Sequence, residues 1–352
     1  MMHARIIPYA FGYDTISPVI YDCFTFFNEL DLLEIRLNVL KDVVDKFVLV
    51  ESDRTFTNRP KRLVFEENRT RFAAFADRII YVKVTDHPPF KTAWHYESHQ
   101  RNAIARGLID AKLEDVILVS DVDEIPNPSA IRRYAGTRGM VTFQQAYYAY
   151  YLNFRNVRRQ RWQFAKMVSY ADFLHGFDGV DVMHNEHLPE EVNVGTTASK
   201  IRMRVLPRSR GGETVVKNGG WHFTSLGGVS ALAEKMRSFS HQEYNPGDGA
   251  IDERKLAELI EKGAGPFWKM NCFAVPIDDT FPEYIRANQE RYARLIFKIT
   301  PEYMKSVRWA RFGRTLQGRW IQFAETVCPS ALHNWLHLVK MRIRKKACGD
   351  IG

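Results

Sequence analysis

Four short runs, apolar along their whole length, restrict this chain more than any other feature: IYDCFTFFN at 20–28, KFVLVES at 46–52, RIIYVKV at 78–84 and VILVS at 116–120. A strand with one face in water alternates apolar and polar residues, so runs without alternation read as strands covered on both faces. The segments between them carry helical spacing instead. Leu30, Leu33, Leu37, Leu40 and Val44 recur at steps of three and four behind Asn28, which predicts a helix capped by that asparagine, with Glu29 and Asp31 in its first turn. Trp94 to Asp110 reads as a further helix. Strands alternating with helices predict an α/β fold, a mainly parallel central sheet flanked by helices. After Gly139 the pattern changes: MVTFQQAYYAYYLNF is long, aromatic and partly alternating, as in an antiparallel or edge strand.

At 352 residues and 45% hydrophobic, the chain has the material for one large core or two modest ones. It holds no run of about 18 uncharged apolar residues, and its start, MMHARIIPYAFGYDTISPVIYDCF, lacks the apolar stretch and cleavage site of a signal peptide. A cytoplasmic protein is the expectation. Cys23, Cys272, Cys328 and Cys348 are scattered without a CxxC pair, which argues for reduced thiols and against a zinc knuckle. The net charge of +9 is concentrated at one end: residues 304–352 hold ten Lys/Arg against Glu325 and Asp350, so the body is nearly neutral. In that tail Trp309, Phe312, Leu316, Trp320 and Phe323 share one helical face, with Arg308, Arg311, Arg314 and Arg319 largely off it. This predicts a basic amphipathic helical tail, suited to an anionic membrane surface on the inner face of the cell membrane, or else to packing on the preceding domain.

The run DVILVSDVDEIP sets Asp121, Asp123 and Glu124 at the exit of a buried strand. Carboxylates that close raise each other's pKa and repel, so the arrangement needs a cation, and a divalent metal is the expected one. In open α/β sheets ligands bind beyond the carboxyl ends of strands, which is also where Glu51, Ser52 and Asp53 fall. A site that transfers a sugar from a nucleotide needs a metal held by few protein ligands, with positions left for two phosphates.

Six stretches in order, YDCFTFFNELDLLEIRLNVL, VESDRTFTN, HQRNAIARGL, ILVSDVDEIP, GGWHFTSLGG and KMRSFSHQEYN, resemble glycosyltransferase family 17 over roughly residues 19–300. The resemblance implies a GT-A type nucleotide-sugar fold, an inverting mechanism and UDP-N-acetylglucosamine as the default donor. On this basis residues 1–303 form the catalytic domain, with a nucleotide-binding half at about 19–135 and an acceptor-side half at about 136–303, followed by the tail at 304–352. With neither anchor nor secretory features in the sequence, a glycan or lipid-linked glycan at the cytoplasmic face is the expected acceptor.

Roles follow residue by residue. Asp123 is the first choice for Mn²⁺ or Mg²⁺, with Asp121 reaching the ribose or a metal-bound water, and Glu124 either supporting the site or capping the turn before Pro126. His222 offers a neutral imidazole to Mn²⁺, behind two glycines that let backbone approach. Arg101 and Asn102 are placed toward a diphosphate or uracil. Glu51, Ser52 and Asp53 are placed at the nucleotide, although Ser-Asp is equally local turn chemistry. Lys61 and Arg62 are phosphate contacts or solvated cations. His184 and His187 form an HxxH without a third ligand at zinc spacing. Inversion needs a carboxylate base beside the acceptor hydroxyl, for which Glu243 is the choice, with Asp172, Asp178 and Asp248 as rivals.

Two other functions compete. A haloacid-dehalogenase-type phosphatase would use a strand-exit Asp as nucleophile, but it normally carries it on the first strand, and here at least three strands precede it. A non-enzymatic membrane- or nucleic-acid-binding module would use the tail, and leaves the acidic strand exit and GGWH without a purpose.

Overall fold

The apolar runs at 20–28, 46–52, 78–84 and 116–120 become neighbouring strands because each can be covered on both faces only inside a sheet. The structure is a computed structural model, and it describes residues 17–157, 162–175, 198–203, 213–242, 251–265 and 270–304. In chain order the strands are β1 (Ile20–Phe26), β2 (Lys46–Ser52), β3 (Ile79–Val84), β4 (Val116–Asp121), β5 (Glu124–Pro126), β6 (Met140–Phe143), β7 (Ala146–Ala149), β8 (Phe154–Asn156), β9 (Lys166–Ser169), β10 (Glu213–Val216), β11 (Gly220–Thr224) and β12 (Cys272–Ala274). The helices are α1 (Leu30–Leu40), α2 (Val64–Glu67), α3 (Ala93–Asn102), α4 (Pro128–Tyr134), α5 (Tyr170–His175), α6 (Ala198–Met203), α7 (Gly228–Ser238), α8 (Glu253–Glu261) and α9 (Glu283–Ala287).

The larger sheet has seven strands in the order β10-β6-β9-β4-β1-β2-β3, and β1 to β4 are mutually parallel wherever they pair. Only β9 runs against its neighbours, β4 and β6. This is the mainly parallel, helix-flanked sheet expected from the sequence. Its two faces explain the missing alternation. Phe24, Phe47, Leu49 and Leu118 pack with Leu33 and Leu37 of α1 on one side, while Cys23, Val48, Val50, Ile117 and Val119 pack with Ile104 on the other. Each such side chain contributes roughly 1.5–3 kcal/mol by leaving water.

The run at 140–154 is not one edge strand. Phe143 ends β6 in the larger sheet, and β7 opens a second, five-stranded sheet in the order β12-β8-β7-β11-β5. The crossing is held by Gly219, whose N–H donates to the Gln144 carbonyl at 2.8 Å. A Cβ on Gly219 would stand 2.9 Å from both the Gln144 nitrogen and Phe143 Cα, so no larger residue fits this approach. The helix expected to Asp110 stays α-helical to Asn102 and tightens into a 3₁₀ turn at Ala103–Gly107. There Gly107 lies against Val48, and a Cβ would come within 2.5 Å of its side chain. Asn28 is not the cap of α1. Its side chain reaches Glu234 at 3.0 Å, and the Glu29 carboxylate accepts from the Phe27 and Asn28 amides at 3.1 and 3.0 Å.

Arg36, on α1, is wholly buried beneath the carboxyl end of β4. Its guanidinium bonds Asp22 through Nε at 2.8 Å and Nη2 at 2.6 Å, Ser120 Oγ at 2.6 Å, and the carbonyls of Asp121 and Glu124 at 2.9 and 2.8 Å. Residues 1–297 form one compact unit and 298–352 a second, of which only 298–304 are described, with the Met304 amide donating to the Thr300 carbonyl at 3.0 Å. The expected amphipathic tail therefore lies outside the described residues apart from Met304. Among the described residues no helix is long and apolar enough to cross a membrane.

Removing the Arg36 charge strands a buried aspartate and several carbonyls. Arg36→Met is expected to lower unfolding stability by about 3–5 kcal/mol in urea titration. A loss below about 1 kcal/mol would mean that water or relaxation satisfies those groups.

Candidate active site

At the end of β4 the chain makes a turn through Val122 and Asp123 and leaves the larger sheet. It continues as β5 in the five-stranded sheet, antiparallel to β11, so that Glu124 faces His222 and Ile125 faces Trp221. The Phe223 amide donates to the Asp123 carbonyl at 2.8 Å and locks this crossing. Gly220, at φ +135°, permits it, because a Cβ there would strike the Ile125 carbonyl at 2.2 Å. Two sheets thus meet at the acidic turn, and that is how residues nearly a hundred positions apart share one site.

The three carboxylates are neutralised in different ways. Asp121 is held on both oxygens, by Arg101 Nη2 at 2.9 Å and by Arg202 Nη2 at 2.7 Å, with Thr25 Oγ1 at 3.3 Å. Although burial pushes its pKa up, the two guanidinium groups hold it well below the usual carboxylate range. Glu124 is fully buried, accepting from Arg202 Nη1 at 2.5 Å, from the Asp121 amide at 3.0 Å and from the Trp162 indole. Asp123 has no arginine. Its Oδ2 faces His222 Nε2 at 3.3 Å and, farther off, Lys235 Nζ at 3.8 Å. Burial again works upward, but His222 and then Lys235 bring this carboxyl below its ordinary value.

His222 is buried between two rings, stacked on Trp162 at 4.2 Å and on Tyr147 at 4.9 Å. Its Nδ1 is buried with no hydrogen-bond partner. Asp123, Glu124 and His222 form a group whose candidate ligand atoms lie within 4.8 Å of one another. Glu124 is already saturated, so the pair that fits a divalent ion is Asp123 with His222. Neighbouring ligands of an octahedral ion at about 2.1 Å stand about 3 Å apart, close to the spacing seen here. A carboxylate with an imidazole is a donor set for Mn²⁺.

These groups line a cavity of about 520 Å³ whose walls include Phe27, Glu29, Trp94, Arg101 and Lys235. Glu29 carries a raised pKa, chiefly through burial and also through the Asp123 charge, while the amides of Phe27 and Asn28 pull it down.

The other expected site residues are placed as follows. Glu51 is fully buried and accepts from Tyr81 Oη at 2.8 Å, Lys61 Nζ at 3.1 Å and the Phe65 amide at 3.2 Å; it holds its own strand exit together rather than lining the cavity. Ser52 Oγ accepts from the Arg54 amide at 3.0 Å, the local turn chemistry left open by the sequence, and Asp53 pairs with His87. Asn102 lies away from the cavity wall, its Oδ1 accepting from the Ser199 amide at 3.1 Å. Asp172 is at the opposite end of the sheet: it bonds Ser169 Oγ at 2.9 Å, and Ser169 pairs with Val116, the first residue of β4. A six-residue strand separates it from Asp121 by roughly 17 Å, too far for a base at this cavity. Arg62 pairs with Glu67 at 2.7 Å on the surface. Glu243, Asp178, Asp248, His184 and His187 lie outside the described residues. With both oxygens of Asp121 occupied by arginines, the nucleophile required by the phosphatase reading is not free.

Arg202, Trp162 and Lys235 had no place in the sequence reading, and Glu29 had none at the site. Arg202 and Trp162 follow stretches without periodicity, and Lys235 reads as an ordinary helix cation. Glu29 was visible only as a helix-dipole charge.

Residues 10–176 match the family model described as Glycosyltransferase family 17. Over that stretch, just under half of its length, the chain resembles glycosyltransferase family 17. The β-1,4-mannosyl-glycoprotein 4-β-N-acetylglucosaminyltransferases of Homo sapiens and Rattus norvegicus are each 33% identical to it over 107 residues, 28% of this chain. The aligned stretch spans 20% of the length of these relatives. Among solved structures, a mannosyltransferase from Pyrobaculum calidifontis in complex with GDP-Man and Mn²⁺ gives a TM-score of 0.28 at 19% identity, covering 37% of this chain and 36% of that one. Glucosyl-3-phosphoglycerate synthase from Mycobacterium tuberculosis, with Mn²⁺, UDP-glucose and glycerol 3-phosphate, gives 0.23 at 14% identity, covering 37% and 44%.

If Asp123 and His222 hold the metal, Mn²⁺ is expected to raise the melting temperature, since a ligand at 100 times its Kd contributes about 2.7 kcal/mol. Asp123→Ala and His222→Ala should each abolish the shift, and Asp121→Asn should leave most of it. A shift that survives Asp123→Ala would move the metal elsewhere.

Proposed function

We propose that this protein is an inverting, metal-dependent glycosyltransferase. It moves a sugar, N-acetylglucosamine by default, from a UDP-sugar to a glycan or lipid-linked glycan acceptor. The observation that carries the reading is the convergence of Asp123 and His222 on one edge of a cavity at the carboxyl end of a parallel sheet. The family 17 match over 10–176 supports the reaction class, and the similarity to N-acetylglucosaminyltransferases supports the default sugar.

Asp123 and His222 would hold Mn²⁺ or Mg²⁺, which supplies charge neutralisation for the departing diphosphate. The chain's own groups do the remaining work. Arg101 and Arg202 fix Asp121 and with it the turn that carries Asp123. Tyr147 and Trp162 fix the imidazole plane, so little reorganisation is needed when the donor enters. The base that takes the acceptor proton is assigned to Glu243 from sequence. Asp172, the other carboxylate considered for this role, lies at the opposite end of the sheet, which favours Glu243. The 304–352 tail would bring the enzyme to an anionic membrane surface at the cytoplasmic face.

The test is release of UDP from a panel of UDP-sugars in Mn²⁺. One sugar should be hydrolysed slowly in water and faster with a glycan acceptor, and Asp123→Ala should lose both activities. A panel in which no UDP-sugar is hydrolysed and none raises the melting temperature would sink the reading. Glu243→Gln is expected to keep UDP affinity and lose about 10²–10⁴ in transfer rate. A loss under about threefold would return the base to the remaining carboxylates.

A further inference from the structure

Lys235 has no assigned task in the site as described. It stands two turns into α7, lines the cavity, and keeps 35% of its side chain exposed there. Its Nζ donates to Thr224 Oγ1 at 2.7 Å, which aims the ammonium across the mouth of the acidic turn. Among the described residues the carboxylate oxygen it pairs with, Asp123 Oδ2, is 3.8 Å away, beyond a direct hydrogen bond, and is the same oxygen that faces His222. Arg101 and Arg202 differ: each is buried and bonded to two carboxylates, Glu97 and Asp121 for the first, Asp121 and Glu124 for the second. Lys235 is therefore a cation held by a neutral hydroxyl, with donors to spare and access to the cavity.

Charge decides what it is held for. Once Asp123 gives its negative charge to a divalent ion, the ammonium loses its acidic neighbour among the described residues and stands beside a second positive centre. The pair is stable only with an anion between them. A sugar hydroxyl lacks that charge, and the terminal phosphate of a nucleoside diphosphate supplies it. Resting on the glycosyltransferase reading, we infer that Lys235 binds the terminal phosphate of the donor's diphosphate and takes up its charge as the sugar leaves. In that step the acceptor oxygen forms a bond to the anomeric carbon, and the bond from that carbon to the phosphate oxygen breaks. The electron pair stays on the diphosphate, and the acceptor proton passes to a carboxylate base. Negative charge thus grows on the oxygen nearest the ammonium, where a fixed donor is most effective.

A nucleoside monophosphate lacks the group in question, which gives a test independent of turnover. UDP and UMP are titrated calorimetrically in Mn²⁺ against the full chain, Lys235→Met, Lys235→Arg and Lys235→Gln, the last serving if the Met variant does not fold. The full chain should prefer UDP. The Met or Gln variant should lose about tenfold or more in UDP affinity while UMP changes less than about twofold, the span of one charge-assisted hydrogen bond. Lys235→Arg should recover most of the preference, and kcat should fall about 10²-fold in the Met variant. An unchanged ratio of UDP to UMP affinity, or an equal loss of both, would make Lys235 a structural partner of Thr224 and overturn the inference. Binding of neither nucleotide by the full chain would overturn the donor reading itself, and this inference with it.

Discussion

The site depends on a guanidinium that never meets substrate. Arg36 lies under the acidic turn and holds the carbonyls of Asp121, Val122 and Glu124, while its other edge pairs with Asp22 of β1. A buried ion pair is costly unless every donor is used, and here the donors tie α1, β1 and the exit of β4 into one rigid piece. The turn that presents Asp123 is thereby fixed from below by the core rather than by its own short backbone.

Above the turn the protein supplies its own cations to two of the three acids. Arg101 and Arg202 take Asp121, and Arg202 with Trp162 takes Glu124. The sequence suggested one divalent ion shared among the cluster. The folded chain instead leaves a single acidic position, Asp123, answered by an imidazole and a half-exposed lysine. The repulsion that made the motif conspicuous is thus largely resolved by arginine, and only one carboxylate is left for exogenous charge.

The legible part of this protein was the part governed by local pattern. Apolar runs without alternation announced β1 to β4 because both faces of those strands are covered, and the strand exit announced Asp121 and Asp123 because parallel sheets bind at that end. The crossing from β6 to β7 was not legible, since it depends on Gly219 meeting Phe143 across 76 positions rather than on any breaker within 140–154. Glu51 misled for a related reason: a strand-exit carboxylate looks the same in sequence whether it faces a cavity or, as here, Tyr81, Lys61 and the Phe65 amide. Asp172 could be excluded only once the direction of β9 was known, because an antiparallel strand carries its exit to the far edge of the sheet.

The bonds from Arg202 to Asp121 and Glu124 span 81 and 78 positions. Time separates these partners as well as distance. At a synthesis rate of about 5–20 residues per second, roughly 4 to 16 seconds pass between the emergence of the acids and of the arginine that covers them. A parallel half-sheet formed in that interval, with Arg36 beneath the turn, would expose Glu124 and one oxygen of Asp121 without their arginine, and Arg202 would close it on arrival.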